Sequence, residues 1–276
     1  MASAVRFKWC VSLLLLFCTN ASASSSSGFS SGSSITVAVA TNFKPVLNAL
    51  SADFTRQTNI KVRISSASTG VLYNQIRQGA PFDVFLSADS ERPALLEQQG
   101  LIVKDSRATY ALGQLVLVSN DKSLPASQAV LENYQGRLAI ANPRIAPYGL
   151  AAKQTLTHLK LWPLSAGSLI KGSLIKGNSV AQTFQFIHSG NVKMAFVAHA
   201  QIANEGFINK NFAGGMWLVP DNYYQPIAQQ LVVLKNSKKL KAANDFAKWI
   251  LAPQQQQQIV KAGYAPDSAD IRTEEQ

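Results

Sequence analysis

Residues 35–42, Ile-Thr-Val-Ala-Val-Ala-Thr-Asn, set the architecture of this chain. The first six are a short apolar run that includes β-branched side chains, which predicts a buried strand. Thr41 and Asn42 then supply a polar turn, and Pro45 stands where proline is tolerated, near the start of a helix. The predicted helix presents an apolar face made of Val46, Leu47, Leu50 and Phe54. The stretch therefore predicts a strand, a polar turn and an amphipathic helix.

The same unit recurs twice in the first half of the chain. Residues 60–64 predict a second strand, which a Ser-rich loop at 65–70 joins to another amphipathic helix. Residues 82–86 predict a third strand, followed by a helix over 90–99. Repeated alternation of strand and helix is typical of a parallel sheet covered by helices on both faces.

A second series of such units follows. A strand over 138–141 leads into Pro147-Tyr148-Gly149, and Asn178-Ser179-Val180 opens a helix that precedes a strand over 194–198. We therefore expect an α/β protein of two lobes, each a mostly parallel sheet flanked by helices.

Two long apolar runs, 110–119 and 227–234, are suited to pass between the two series. We place the first crossing near Leu115 and the return crossing in the second run. Two crossings imply a hinge. The predicted organisation is lobe 1 from 35–115 and 230–276, and lobe 2 from 116–229.

The first 23 residues have the three parts of a secretory signal peptide. Arg6 and Lys8 form the basic region, residues 11–17 the apolar region, and Ala21-Ser22-Ala23 the small-residue cleavage site. The apolar run is too short to span a bilayer, which takes about 20 residues. Residues 24–34 are rich in Ser and Gly, and we interpret them as a disordered leader. The chain is therefore predicted to be exported and cleaved near Ala23.

Both cysteines, Cys10 and Cys18, lie in this N-terminal segment. Lipidation at Cys18 is the alternative to cleavage, but the bulky Phe17 disfavours it. A cleaved chain would have no thiol for a disulfide, a metal site or a nucleophile. The formal net charge of +11 favours an anionic partner. The sequence has no dense Lys/Arg tract interleaved with aromatic residues, the pattern that would indicate nucleic-acid binding.

The sequence offers little for catalysis. It has no Gly-x-Ser-x-Gly elbow and no P-loop, and its three histidines, His158, His188 and His199, are scattered without paired spacing. We therefore predict neither an enzyme nor a site for a bare metal cation.

Four polar turns lie where a strand or loop leads into a helix: Thr41-Asn42, Ser68-Thr69-Gly70, Pro147-Tyr148-Gly149 and Asn178-Ser179-Val180. In open α/β sheets such turns line the ligand crevice. A helix N-terminus leaves N–H groups unpaired and partly positive, so several that converge bind a dianion without Lys or Arg. Ser and Thr hydroxyls add donors. The alternative is that Thr41, Ser68 and Asn178 only cap their own helices.

The pentapeptide Ser-Leu-Ile-Lys-Gly occurs twice in tandem, at 168–172 and 173–177. Solenoid proteins have longer periods and more copies, so we interpret the repeat as a local duplication that lengthens a loop or strand edge. Because it directly precedes Asn178-Ser179-Val180, it could displace that turn.

Five motifs together resemble the periplasmic molybdate-binding proteins of molybdate ABC importers: Val-Ala-Thr-Asn-Phe (39–43), Ile-Ser-Ser-Ala-Ser-Thr-Gly (64–70), Gly-Ala-Pro-Phe-Asp-Val-Phe-Leu-Ser-Ala-Asp (79–89), Asn-Pro-Arg-Ile-Ala-Pro-Tyr-Gly-Leu-Ala (142–151) and Gly-Tyr (263–264). The resemblance implies the two-lobed type II periplasmic binding protein fold and a monomer without cofactor. It also implies a periplasmic protein that delivers molybdate or tungstate to an inner-membrane ABC permease with its ATPase. A binding protein for sulfate or phosphate, or an anion sensor without a transport role, is the alternative.

The resemblance also implies a set of oxyanion ligands, with Tyr148 and Val180 acting largely through backbone N–H groups: Thr41, Asn42, Thr69, Tyr148 and Val180. Ser68 and Ser179 are further candidates. The chain departs from the family pattern at two positions. Some members place a Tyr hydroxyl on the anion where this chain has Ala198, and Asn42 stands where Ser is common.

Overall fold

The computed structural model describes residues 33–162, 173–203 and 210–266. The predicted signal peptide, Cys18 and the first copy of the duplicated pentapeptide lie outside these residues. Ser34, the last residue of the predicted leader, already lies in the first strand, where it pairs with Lys61. In the described ranges, no helix is long and apolar enough to cross a bilayer.

The strands of the described residues are β1 (Ser34–Ala40), β2 (Lys61–Ala67), β3 (Val84–Leu86), β4 (Ala108–Gly113), β5 (Leu115–Ser119), β6 (Leu138–Ala141), β7 (Leu174–Gly177), β8 (Met194–Ala198), β9 (Met216–Leu218) and β10 (Ile227–Val233). The α-helices are α1 (Lys44–Thr58), α2 (Thr69–Arg77), α3 (Glu91–Gln98), α4 (Gln128–Glu132), α5 (Pro147–His158), α6 (Val180–His188), α7 (Leu240–Ile250) and α8 (Pro253–Lys261). Short 3-10 helices span His199–Gln201 and Asp221–Tyr223.

These strands form two five-stranded sheets, one in each lobe. The first has the order β2-β1-β3-β10-β4 and the second the order β7-β6-β8-β5-β9. Strand β1 runs parallel to both of its neighbours, as does β6, whereas β10 and β5 are antiparallel to theirs. Each sheet is therefore mixed around a parallel centre, as the alternating units predict.

The chain crosses between the sheets twice. The apolar run 110–119, predicted as one strand, is two strands separated by Gln114, because the chain leaves the first sheet there and enters the second. The return strand β10 pairs with β4 from Ile227 onward. By strand pairing, Leu115 thus belongs to the second sheet and residues 227–229 to the first.

Each sheet is buried on both faces, which explains why its strands are nearly continuous apolar runs. In lobe 1, Val37 packs with Phe43 and Phe54 on one face, while Ala38 packs with Leu72 and Phe85 on the other. Lobe 2 repeats this arrangement with two further clusters around β5, β6 and β8. Two cores of this kind hold the strand ends in fixed positions.

Candidate oxyanion site

The first half of the site is formed by two adjacent turns of lobe 1. Strands β1 and β2 are parallel neighbours whose last residues, Ala40 and Ala67, are register partners. The turns that follow them therefore lie side by side. One carries Thr41 and Asn42 into α1, and the other carries Ser68 directly into α2.

Lobe 2 builds the second half in the same way. Strands β6 and β7 are parallel neighbours with Ala141 opposite Gly177 at their ends. The turn after β6 leads to Pro147 at the start of α5, and the turn after β7 leads to Val180 at the start of α6. A hydrogen bond of 2.7 Å from the Asn142 N–H to the Gly177 carbonyl joins the two turns.

All four turns line one cavity between the lobes, formed by Ala40, Thr41, Asn42, Ser68, Thr69, Ala88, Ala146, Pro147, Tyr148 and Val180. The cavity is small, with about 10 Å³ open to the centre of a water molecule. Its lining contains no charged side chain. The five principal predicted ligands and Ser68 are thus brought together, whereas Ser179 is not part of the lining.

The capping alternative can be tested at each helix. Helix α1 has no side-chain cap, and neither has α2, although Ser68 occupies its N-cap position. In contrast, Ser179 caps α6, because its Oγ accepts a hydrogen bond of 3.2 Å from the Gln182 N–H. Capping therefore accounts for Ser179, which takes the cap position expected of Asn178, but not for Thr41 or Ser68.

Two hydroxyls of the first lobe are arranged as donors. The Thr69 Oγ1 accepts a hydrogen bond of 3.1 Å from the Ala88 N–H, which leaves its proton available for another partner. The Ser68 Oγ is buried and has no hydrogen-bond partner among the described residues. Buried polar groups are nearly always paired, so an unpaired hydroxyl at a cavity wall indicates a ligand contact.

Asn42 lines the cavity, but its side-chain amide is engaged elsewhere. Its Nδ2 donates to the Gln229 Oε1 at 2.9 Å and to the Tyr264 Oη at 3.0 Å. Both amide hydrogens are thereby used, so the backbone N–H is the donor that Asn42 can offer to an anion. The substitution of Asn for the more common Ser thus exchanges a hydroxyl donor for a structural amide.

Tyr148, like Asn42, has its side chain bonded to Gln229 and its backbone N–H at the cavity. Its Oη accepts a hydrogen bond of 3.0 Å from the Gln229 Nε2, so its ring faces the hinge strand. Because Tyr148 is the second residue of α5, its N–H has no partner within the helix and remains a donor at the cavity. The same holds for Val180, the first residue of α6.

Three residues that support these ligands were not among the predicted site residues, namely Gln229, Tyr110 and Tyr264. All three are buried, and burial raises the pKa of both tyrosines, as it does for Tyr148, well above the usual value of 10. The hydroxyls are therefore neutral. The sequence carries two signals of these residues, the pair of glutamines inside the apolar strand β10 and the Gly-Tyr motif at 263–264, which the resemblance included without a role in the site.

The lobes also contact each other beside the cavity. The Gly70 N–H donates to the Ile145 carbonyl across the cleft at 2.9 Å, and a Cβ at residue 70 would lie 3.0 Å from the Ile145 Cα. Nearby, the Arg92 guanidinium donates to the Arg144 carbonyl at 3.2 Å. The structure therefore has the two half-sites closed on one another.

Two unusual features of the sequence lie in lobe 2, namely Ala198 and the duplicated pentapeptide. Ala198, where some relatives have Tyr, is fully buried at the end of β8 and does not line the cavity. The second copy of the duplicated pentapeptide supplies β7, and Val180 still reaches the cavity. The duplication therefore does not displace the turn before α6.

A small polar cavity between two α/β lobes, lined by helix N-termini, defines a two-lobed solute-binding protein. This chain belongs to the family of bacterial extracellular solute-binding proteins, whose sequence model matches residues 35–265. It is 39% identical over 232 residues to the molybdate-binding protein ModA of Azotobacter vinelandii, an alignment covering 83% of this chain and 89% of that protein. ModA of Rhodobacter capsulatus is 36% identical over 235 residues, with 84% and 88% covered.

The solved structure of the periplasmic molybdate-binding protein from Azotobacter vinelandii matches with a TM-score of 0.76 at 40% identity. The match covers 84% of this chain and 98% of that one. The predicted family and the predicted two-lobed fold are thereby confirmed.

Proposed function

We propose that this protein captures molybdate or tungstate between its lobes in the periplasm and delivers the anion to an ABC permease. The observation that carries the proposal is the cavity itself, which combines four helix N-termini with Ser and Thr hydroxyls and no charged side chain. The similarity to molybdate-binding proteins of two bacteria supports the choice of anion.

The size of the cavity suits a single small anion. About 10 Å³ is open to the centre of a water molecule, which is on the order of one water-sized probe. The cavity therefore has room for one small anion and none for an organic solute. Discrimination between molybdate and the smaller sulfate would then depend on whether the anion reaches donors in both lobes at hydrogen-bond distance.

The chemistry of the lining favours a fully ionised dianion. Its groups available to a ligand include N–H and O–H donors, and none of its side chains is a carboxylate, the strongest acceptor for a proton carried by a ligand. Hydrogen phosphate would bring a proton that needs an acceptor, whereas molybdate, tungstate and sulfate carry none near neutral pH. Sulfate is accordingly the second candidate, because it satisfies the same donors.

Transport follows from lobe closure. The two lobes would each offer half of the donors, so an anion that bridges them stabilises the closed form. A permease can then recognise closure. The remaining elements of the proposal are a monomer without catalytic activity and an N-terminal signal removed near Ala23.

Isothermal calorimetry on the chain from Ser24 onward tests this proposal. Molybdate and tungstate should each bind one to one, with affinities on the order of 100-fold higher than that for sulfate. Phosphate should not bind measurably. Saturation by sulfate with no response to molybdate would overturn the choice of anion, and saturation by phosphate would overturn the preference for a fully ionised dianion.

A further inference from the structure

A buried polar network lies behind the wall of the anion cavity, on the return strand β10. At its centre is Gln229, whose side chain is fully buried. The Gln229 Nε2 donates to the Tyr148 Oη at 3.0 Å. Its Oε1 accepts from the Asn42 Nδ2 at 2.9 Å and from the Tyr110 Oη at 3.1 Å. One amide thus joins three polar side chains.

The partners of Gln229 belong to different half-sites. Asn42 follows β1 in lobe 1, Tyr148 opens α5 in lobe 2, and both line the anion cavity. Gln229 does not line it. For both residues the side chain is bonded to Gln229, while the backbone N–H is the group left for the anion. The amide therefore fixes one anion donor in each lobe without touching the anion.

The backbone around Gln229 is shaped for this role. The pairing of β10 with β4 shifts register between Gln229 and Gln230, and such bulges reorient the side chains beside them. Across the pair, a Cβ at Gly113 would lie 2.3 Å from the Tyr148 Oη and 2.8 Å from the Gln229 Nε2. Only glycine at residue 113 leaves space for this hydrogen bond at the first crossing.

We propose that Gln229 is a positioning residue that couples the two half-sites through Asn42 and Tyr148. This inference rests on the proposed function. The amide is suited to the role because it donates from one end and accepts at the other in a fixed direction, which a hydroxyl or an apolar side chain cannot do. Loss of Gln229 should loosen one donor in each lobe at the same time.

The test compares Gln229→Met with Gln230→Met. Gln230 is the matched control, since it is the next residue of β10 and its side chain is bonded outside the site, to Thr109 and Arg107. With molybdate measured by calorimetry, Gln229→Met should bind at least about tenfold more weakly than wild type. Gln230→Met should stay within about twofold. Equal affinity of wild type and a folded Gln229→Met would overturn the inference.

Gln229→Glu gives a signature that a purely structural role would not produce. The ionisable groups near residue 229 are Tyr110, Tyr148 and Tyr264, with Asp89 close to Tyr110. A protonated carboxyl can replace the amide, donating to Tyr148 and accepting from Asn42, whereas a carboxylate would reverse the hydrogen bond with the Tyr148 hydroxyl and repel the anion. Affinity should therefore approach that of wild type at pH 5 and fall at least tenfold by pH 9.

Wild type should keep a constant affinity over the same range, because its three tyrosines stay neutral. If Gln229→Glu binds with the same affinity at pH 5 and pH 9, the inference is overturned. This test does not depend on Gln229→Met and holds even if that variant does not fold. The proposed function fails in a different way, since wild type itself would then not bind molybdate. In that case the same comparison is made with the oxyanion that does saturate wild type.

Discussion

The two half-sites share an architecture and differ in chemistry. Each consists of two turns that follow neighbouring parallel strands and lead into helix N-termini. Lobe 1 adds hydroxyls from Thr41, Ser68 and Thr69 to its backbone donors. Lobe 2 offers the backbone N–H groups of Tyr148 and Val180. Recognition in lobe 1 should therefore depend on side-chain identity, and recognition in lobe 2 on backbone position.

Thr69→Val should have the largest effect on binding, because it removes a buried hydroxyl while keeping the shape of the side chain. A hydrogen bond to a charged group contributes about 1.5–3 kcal/mol, so molybdate affinity should fall by roughly 10- to 150-fold. The Ala88 N–H would also lose its partner. Calorimetry measures the affinity, and thermal melting without anion measures the stability. A twofold loss or less would remove Thr69 from the ligand set.

Gly70→Ala tests the contact between the half-sites. The new Cβ would lie 3.0 Å from the Ile145 Cα, tight enough to push the lobes apart and weaken the bond from the Gly70 N–H to the Ile145 carbonyl. Losing about 1 kcal/mol from closure corresponds to roughly fivefold weaker binding. Calorimetry with molybdate measures this loss against wild type.

Gly100→Ala is the control for this variant. Gly100 has a positive φ of 66° but no neighbour near its Cβ position, so the substitution strains the backbone without affecting the cleft. It should lower the melting temperature and leave the affinity for molybdate unchanged. If Gly70→Ala behaves like Gly100→Ala, the contact with Ile145 does not contribute to closure.

The sequence predicted the fold and the turns because both depend on local patterns. Alternating apolar runs and helix starts identified the strand–helix units. The motifs around Thr41, Thr69 and Tyr148 located three of the four turns, and a helix start located the fourth, Asn178-Ser179-Val180. The sequence could not predict which hydrogen-bond partner each polar side chain has. Whether Asn42 donates to an anion or to Gln229 depends on a partner 187 residues away in the chain. Such long-range pairings leave no periodic signal in the sequence.

The two serines proposed as further ligands differ in their local sequence. Ser68 and Ser179 occupy equivalent N-cap positions before α2 and α6, but only Ser179 begins the Ser-x-x-Gln pattern of a capping box, with Gln182 as its last residue. The structure gives Ser179 a capping bond and leaves the Ser68 Oγ without a partner in the described chain. Similar sequence positions thus have different roles in the two lobes.

Ser68→Ala and Ser179→Ala should therefore affect different quantities: Ser68→Ala the affinity for the anion, and Ser179→Ala the stability of the fold. Ser179→Ala removes a helix cap, which costs about 1 kcal/mol of folding free energy, and should change anion affinity by less than about twofold. Ser68→Ala should leave stability nearly unchanged and weaken molybdate binding by roughly 10-fold, the lower end of the range for a hydrogen bond to a charged group. Urea unfolding and calorimetry on both variants make the comparison. Parallel effects in the two variants would contradict the division between ligand and cap.

Deletion of residues 168–172, the first copy of the duplicated pentapeptide, should have the smallest effect on molybdate affinity. It tests whether the duplication before β7 matters to the second half-site. Because the pentapeptide is repeated, the deletion leaves Ser173–Gly177 in place, and these residues include all of β7. The pairing of Ala141 with Gly177 and the two residues between Gly177 and Val180 are unchanged. The position of the Val180 N–H is set by that pairing, so molybdate affinity should stay within about twofold of wild type. A loss comparable with that of Thr69→Val would mean that the backbone position of the second half-site depends on chain length before β7 and not only on strand register.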